Sequence, residues 1–325
     1  MSADGPTGTG RDAADPGLGA ETTCYRHPRR PASVRCVRCD RYICPDCMRP
    51  AAVGFQCPEC VAEGSRTIRT PRTVYGGRVA AGPPIVTYGL IGINVAIFLV
   101  TAIGGTSLGF SGGASPLYGR LALIPYDVGV AGQYDRLLSS MFLHYGLVHI
   151  AANMYALYLV GPTLERILGR VRYLMLYFGA GLGGSVAVYL FSGPGQPTAG
   201  ASGAIFGLFA AFVVFARHQR RDATAMVGVI VLNLVLTFTI SGISIWGHVG
   251  GLVIGAAIAA LLAYAPAGRW RSAVQAGGLL VLAVVLVAAC AVRTHDLRQT
   301  YLPAQLAGLA ASIAAATLGV SPPTR

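Results

Sequence analysis

From Ile85 onward, long apolar runs alternate with short segments that carry most of the remaining arginines. Runs of membrane-spanning length fall at about 85–103, 146–164, 171–192, 200–216, 225–241, 246–264 and 274–292. A span needs roughly 20 apolar residues at 1.5 Å rise each, so the pattern predicts seven transmembrane helices. Residues 302–320 are uncharged but Ala-rich and weakly apolar, which fits either an interfacial helix or an eighth span. Upstream the pattern changes. Residues 1–23 are Gly, Ala, Asp, Thr and Pro with almost no large apolar side chains, a composition expected to stay disordered. The predicted organisation is a tail (1–23), a cysteine-rich module (24–63), an Arg/Thr/Gly/Pro linker (64–84), a membrane domain (85–292) and a tail or weak additional helix (293–325). The fold class is an all-α polytopic membrane protein with a small separate module.

Composition agrees with this pattern. The chain is 54% hydrophobic and 12% charged, with a mean hydropathy of +0.57, whereas soluble domains carry about 25% charged residues. That argues against a water-soluble enzyme. The net charge is +12, and all 25 basic residues are arginine. The amino end lacks the basic start and apolar core of a signal peptide, so it is expected in the cytoplasm. With that end inside, the inner loops hold Arg166, Arg170, Arg172, Arg217, Arg220, Arg221, Arg269 and Arg271, and the outer loops before the last span hold Arg120 and Arg136. This asymmetry follows the positive-inside rule. Arg293 and Arg298 run against it. The lysine-free composition points to a high-GC bacterium, and the multi-pass pattern then places the chain in the cell membrane. Arg35, Arg38 and Arg41 lack aromatic interleaving, so no nucleic-acid partner is expected.

Seven of the eight cysteines lie in the amino-terminal module, as Cys24-x2-His27, Cys36-x2-Cys39, Cys44-x2-Cys47 and Cys57-x2-Cys60. Two residues between ligands let one short knuckle aim both side chains at one ion, and two knuckles complete a tetrahedron. Four pairs supply two closed, structural Zn2+ sites. A reducing cytoplasm disfavours the competing disulfide framework. The segment resembles a B-box-type zinc finger, in which alternate pairs share an ion. That resemblance implies Cys24, His27, Cys44 and Cys47 on one zinc and Cys36, Cys39, Cys57 and Cys60 on the other. Spacing alone leaves consecutive pairing open. The module's expected role is structural or partner-binding.

Polar groups within spans are costly and mark functional sites by default. Here they occur in three places: His144, His149 and Asn153 at the start of the second span, Gly200-Ala-Ser202-Gly203 at the fourth, and Gly247-His248 at the sixth. These spans run in the same direction, so their polar starts share one depth. Gly203, Gly207 and Ala211 repeat every four residues on one helix, and Gly251, Gly255 and Ala259 do so on another. Small residues at that spacing permit close helix approach. If the stripes face each other, Ser202 meets His248. Serine needs a base to become a nucleophile, and His248 is the histidine placed to serve. His149 and Asn153, four residues apart, share a face and could donate to an oxyanion beside the Ser202 amide.

Residues 85 to about 264 resemble the rhomboid intramembrane serine proteases. The matching stretches are His144-Tyr-Gly-Leu-Val-His149-Ile-Ala-Ala-Asn153, Gly200-Ala-Ser202-Gly-Ala-Ile-Phe-Gly207 and His248-Val-Gly-Gly251-Leu-Val-Ile-Gly255. The resemblance implies a six-helix core plus a seventh helix and a catalytic dyad of Ser202 and His248. It also implies an oxyanion pocket from His149, Asn153 and the Ser202 amide, and no catalytic metal. Its substrates would be transmembrane proteins cut within or near their spans. Tyr134-Asp-Arg136 resembles the family's first-loop element, although Asp135 stands where an aromatic is frequent. The Gly161 to Gly169 stretch resembles its second-helix end, in which Glu165 would be structural. Phe206 stands where a tyrosine often packs on the histidine.

Two other readings compete. A non-proteolytic protein of the same fold would bind and escort membrane clients, but such proteins usually lose the nucleophile or base, and both are present. A transporter with His149 and His248 in a proton path would need acidic partners within the spans, and Glu165, at an inner end, is the one acid available.

Overall fold

The computed structural model describes residues 22–67, 71–79, 82–103, 115–240 and 242–317. The greater part of the tail predicted at 1–23, and residues 318–320 of the final weak apolar stretch, lie outside the described residues. The chain divides into two compact units, Met1–Thr70 and Pro71–Arg325.

The first unit contains two short antiparallel ribbons followed by a helix. β1 (Val34–Arg35) pairs with β2 (Tyr42–Ile43), β3 (Arg49–Pro50) pairs with β4 (Phe55–Gln56), and α1 spans Pro58–Thr67. Its buried cluster consists of six cysteines with Ala32 and Ile43. Tyr25, Val34, Tyr42 and Met48 pack against it only partly buried, and so small an apolar core cannot offset the ordering entropy of the whole segment. The cysteines must therefore supply the cohesion.

The second unit is helical. It comprises α2 (Ile85–Ile103), the short loop helices α3 (Pro116–Leu121), α4 (Pro125–Gly129) and α5 (Arg136–Ser139), then α6 (Leu147–Leu168), α7 (Arg170–Phe191), α8 (Ser202–His218), α9 (Thr224–Thr239), α10 (Ile245–Tyr264) and α11 (Arg271–Thr317). Helices α2, α6, α7, α10 and α11 are long and apolar enough to cross a membrane, whereas α8 and α9 are apolar but shorter. The chain is a multi-pass membrane protein. With 17 residues, α8 is about 25 Å long at 1.5 Å per residue, less than the roughly 30 Å hydrocarbon core.

The glycine stripes face each other, which meets the condition for Ser202 to reach His248. A Cβ at Gly251 would overlap the Gly203 carbonyl, and one at Gly255 would stand 2.7 Å from the Gly207 oxygen. The same intimacy extends to α7, where a Cβ at Gly184 would lie 2.6 Å from the Gly247 oxygen. Helices α7, α8 and α10 thus form a backbone-to-backbone core in which side chains would only hold the helices apart.

Two buried charges tie down the periphery. Glu165 is fully buried and accepts hydrogen bonds from the Val86 and Thr87 amides at 3.2 and 2.9 Å and from the Thr87 hydroxyl at 2.9 Å. It satisfies orphan donors at the start of α2 and joins that helix to α6. Arg136 donates to the carbonyls of Gly119 and Ala122 at 2.7 and 2.6 Å and pairs with Asp127 at 3.1 Å, which gathers the loop that contains α3 and α4.

Two segments differ from their sequence reading. The stretch 64–84 was expected to be a linker, yet it contains the last turn of α1 and an ordered strap at Pro71–Val79. Tyr75 is buried against Phe215, with ring centroids 4.5 Å apart. Its hydroxyl accepts from Gln219 at 3.0 Å, and its carbonyl accepts from Gln275 at 3.2 Å. Arg271 donates to the Val74 carbonyl at 2.5 Å. Gly77 and Gly169 let the strap and the α6–α7 turn approach too closely for side chains. Beyond residue 292, α11 continues unbroken to Thr317 with Pro303 inside it. Alanine-rich sequence favours helix, and one proline removes a single backbone donor. Thr294 meets the hydroxyls of Tyr189 and Tyr134 at 2.7 and 2.9 Å, and Arg298 donates to the Gly129 carbonyl at 2.9 Å. Arg293 pairs with Asp296 at 2.5 Å. The two arginines that run against the charge asymmetry thus make local structural bonds.

Candidate active site and metal-ligating clusters

Ser202 opens α8, and His248 lies in the first turn of α10, whose N-cap Ser244 accepts from the Gly247 amide. The facing glycines bring the two side chains together, with Ser202 Oγ 2.8 Å from His248 Nε2. His248 is 8% exposed. Its ring is stacked on Phe206, at a centroid distance of 4.2 Å and an interplanar angle of 14°. One turn along α8, this ring fixes the imidazole plane without a hydroxyl.

The second span contributes the neighbouring polar groups. The Tyr145 amide donates to His149 Nδ1 at 3.3 Å, so the neutral imidazole carries its proton on Nε2. A Cβ on Gly200 would stand 3.0 Å from His149 Nε2 and 3.5 Å from Ser202 Oγ, so both groups border the space that this glycine leaves. Gly200 has φ +141°, which glycine adopts freely, and its lack of a side chain makes room for the histidine. Asn153 is buried and donates one amide hydrogen to the His149 carbonyl at 2.9 Å, which leaves its second available. The Ser202 amide belongs to the first turn of α8, where backbone donors lack intrahelical acceptors. His144 is fully buried, its ring 5.1 Å from that of His149.

Sequence reading missed one neighbour. Thr237 Oγ1 lies 2.6 Å from His248 Nδ1, and Thr237 is the one buried residue of α9. Thr237 shares its apolar run with Asn233 and Thr239, and nothing in the sequence singles it out, because its contact depends on how α9 crosses α10.

The cysteine module forms two clusters, Cys24/His27/Cys44/Cys47 and Cys36/Cys39/Cys57/Cys60, with the ligand atoms of each within 4.8 Å of one another. These are the alternate pairs. His27 Nδ1 lies 3.8, 3.3 and 3.4 Å from the sulfurs of Cys24, Cys44 and Cys47, and the Cys39 and Cys57 sulfurs are 3.7 Å apart. A tetrahedron with metal–sulfur bonds of about 2.3 Å has edges of about 3.8 Å, so the donors fit a tetrahedral ion. Burial opposes ionisation of Cys24, but the Cys44, Arg26 and His27 amides outweigh it and bring the thiol to about 6. Burial likewise opposes Cys36, and the Cys57, Arg38 and Cys39 amides bring it to about 6. Burial and neighbouring sulfurs push Cys47 up to about 11 and Cys60 up to about 12. Each cluster therefore favours some thiolates and penalises the rest, a conflict that a bound dication would resolve.

Comparison with known proteins places this geometry in context. The Rhomboid domain family model matches residues 131–265. The chain is 35% identical over 218 residues to rhomboid protease GluP of Bacillus subtilis (strain 168), covering 64% of this chain and 39% of that protein. It is 34% identical over 136 residues to YdcA of the same organism, which also bears a rhomboid name, covering 40% and 68%. Rhomboid-type serine protease 2 of Emericella nidulans is 31% identical over 138 residues, covering 41% and 27%. The chain thus spans less than half the length of GluP and of the Emericella protein.

Proposed function

Because the chain belongs to the rhomboid family, we propose that it is an intramembrane serine endopeptidase that cuts transmembrane proteins in or near their spans. The observation that carries this reading is the 2.8 Å approach of Ser202 Oγ to His248 Nε2 at the starts of two tightly packed helices. In this mechanism Nε2 takes the serine proton as Oγ attacks the scissile carbonyl, and the imidazolium then protonates the leaving amine. The Ser202 amide, His149 Nε2–H and the free Asn153 amide hydrogen stabilise the oxyanion. The cysteine module holds two structural Zn2+ ions, which its donor set and edge lengths suit, and offers a surface for a protein partner. The amino end and the loop at 217–221 face the cytoplasm, as the arginine distribution supports. Strong labelling of a cysteine introduced at position 219 by an impermeant reagent in intact cells would reverse that orientation.

The deciding experiment is cleavage of a reporter transmembrane protein in proteoliposomes by the intact chain and by Ser202→Ala. Cleavage should vanish in the variant while expression and insertion persist. Wild-type turnover by Ser202→Ala would remove the serine mechanism, whereas client binding without cleavage by the intact chain would put the escort reading in its place.

A further inference from the structure

The neutral imidazole carries one proton, and a general base facing Ser202 needs Nε2 bare and the proton on Nδ1. Burial and stacking on Phe206 fix the ring's plane but do not choose between its tautomers. The choice is made on the far side of the ring. Thr237 Oγ1 is 2.6 Å from Nδ1 and also 2.7 Å from the Asn233 carbonyl oxygen, one turn back on α9. A carbonyl only accepts, so the single hydroxyl hydrogen of Thr237 goes to Asn233. Its lone pair is then left for an N–H on Nδ1. The polarity of the whole chain follows: Ser202 O–H to Nε2, Nδ1–H to Thr237 Oγ1, and Thr237 O–H to the Asn233 carbonyl.

We propose that Thr237 is a positioning residue, a neutral third member behind the Ser202–His248 pair that holds His248 in the Nδ1–H tautomer. It occupies the place in which a carboxylate would be costly to bury in a membrane. When the imidazole takes the serine proton, the bond from Nδ1 becomes charge-assisted and strengthens, so Thr237 contributes more in the reacting state than at rest. The orienting group sits on a different helix from both dyad members. Thr237 is the sole buried side chain of α9, while its neighbours Val235, Leu236 and Phe238 are exposed. Met226 and Ile230 also pack α9 against the core, so a shift of α9 would carry the orienting hydroxyl away from the base.

This inference rests on the serine-protease reading, and its test separates the two. Thr237→Val keeps the shape and removes the hydroxyl; Thr237→Ser keeps the hydroxyl and removes the methyl. In proteoliposomes, Thr237→Val should lower kcat roughly tenfold to a hundredfold, the range for loss of a hydrogen bond to a charged group, with KM little changed. Labelling of Ser202 by a small fluorophosphonate, which needs no protein substrate, should slow in parallel, and Thr237→Ser should restore both. A packing role predicts the opposite order, with serine the more damaging change, and that order would overturn the proposal. Nitrogen-15 NMR of histidine-labelled protein reads the tautomer without activity. His248 should be an Nδ1–H tautomer in the wild type and in Ser202→Ala, and a mixture in Thr237→Val. An unchanged tautomer in Thr237→Val refutes the role of Thr237 even if the dyad stands, whereas cleavage by Ser202→Ala refutes the dyad whatever the tautomer.

Discussion

Replacing Gly251 with alanine should disable the site from within the helix interface, a full turn from the chemistry. The new Cβ would stand 2.6 Å from the Gly203 carbonyl carbon and 2.8 Å from its Cα. Carbon atoms rest at about 3.5–4.0 Å, and no flexible side chain is there to yield. Helices α8 and α10 must part by about 1 Å. Ser202 and His248 lie on these two helices at 2.8 Å, so their separation would grow to about 3.8 Å, outside hydrogen-bond range. Misplacement of about 1 Å costs on the order of 100-fold in rate, and overpacking costs about 1–3 kcal/mol of stability. The assay is kcat on a transmembrane reporter in proteoliposomes beside thermal unfolding in detergent. Gly92→Ala on α2, where an added Cβ meets nothing within 4 Å, serves as the control and should leave both unchanged. A folded Gly251→Ala protein with wild-type kcat would show that the glycine contact does not set the dyad distance.

Asn153→Ala should lower kcat by about 100- to 1,000-fold, as loss of one oxyanion donor does, with KM little changed; an unchanged kcat would remove Asn153 from the oxyanion pocket. Metal analysis of the intact chain should find two zinc ions, with chelation unfolding residues 22–67; a single ion, or a fold indifferent to chelator, would contradict paired closed sites. Glu165→Gln should destabilise the protein by about 1–3 kcal/mol, because an amide hydrogen would face buried N–H donors. Unfolding of that variant at the wild-type temperature would show that the buried carboxylate is not what anchors α2.

What was legible in the sequence was whatever leaves a periodic or short-range mark. Apolar run length located the membrane helices, and the four-residue glycine repeats marked faces on which two helices could approach closely, the condition for Ser202 to meet His248. The Cys-x2 knuckles announced metal ligands, but pairing needed the fold, because two knuckles can join any neighbour that the ribbons bring near. Thr237 stayed hidden since a hydroxyl in an apolar helix most often bonds its own backbone, as this one also does to Asn233. The strap stayed hidden for another reason. Arg, Thr, Gly and Pro describe a linker, and one tyrosine among them does not reveal that it finds a cavity between the ends of distant helices.

That strap also has a mechanical consequence. Tyr75 works as a cleat: tension arriving along the chain from upstream is borne by its ring, by the Gln219 and Gln275 side chains and by Arg271 before it can reach the first turn of α2. The load is shared among the ends of α8 and α11, and the glycine contact with the α6–α7 turn adds a third anchor. Cutting the chain at residue 70 leaves the cleat in place. A chain begun at Ile85 would lose it and leave the Phe215 face and the side-chain amides of Gln219 and Gln275 without the tyrosine that they hold.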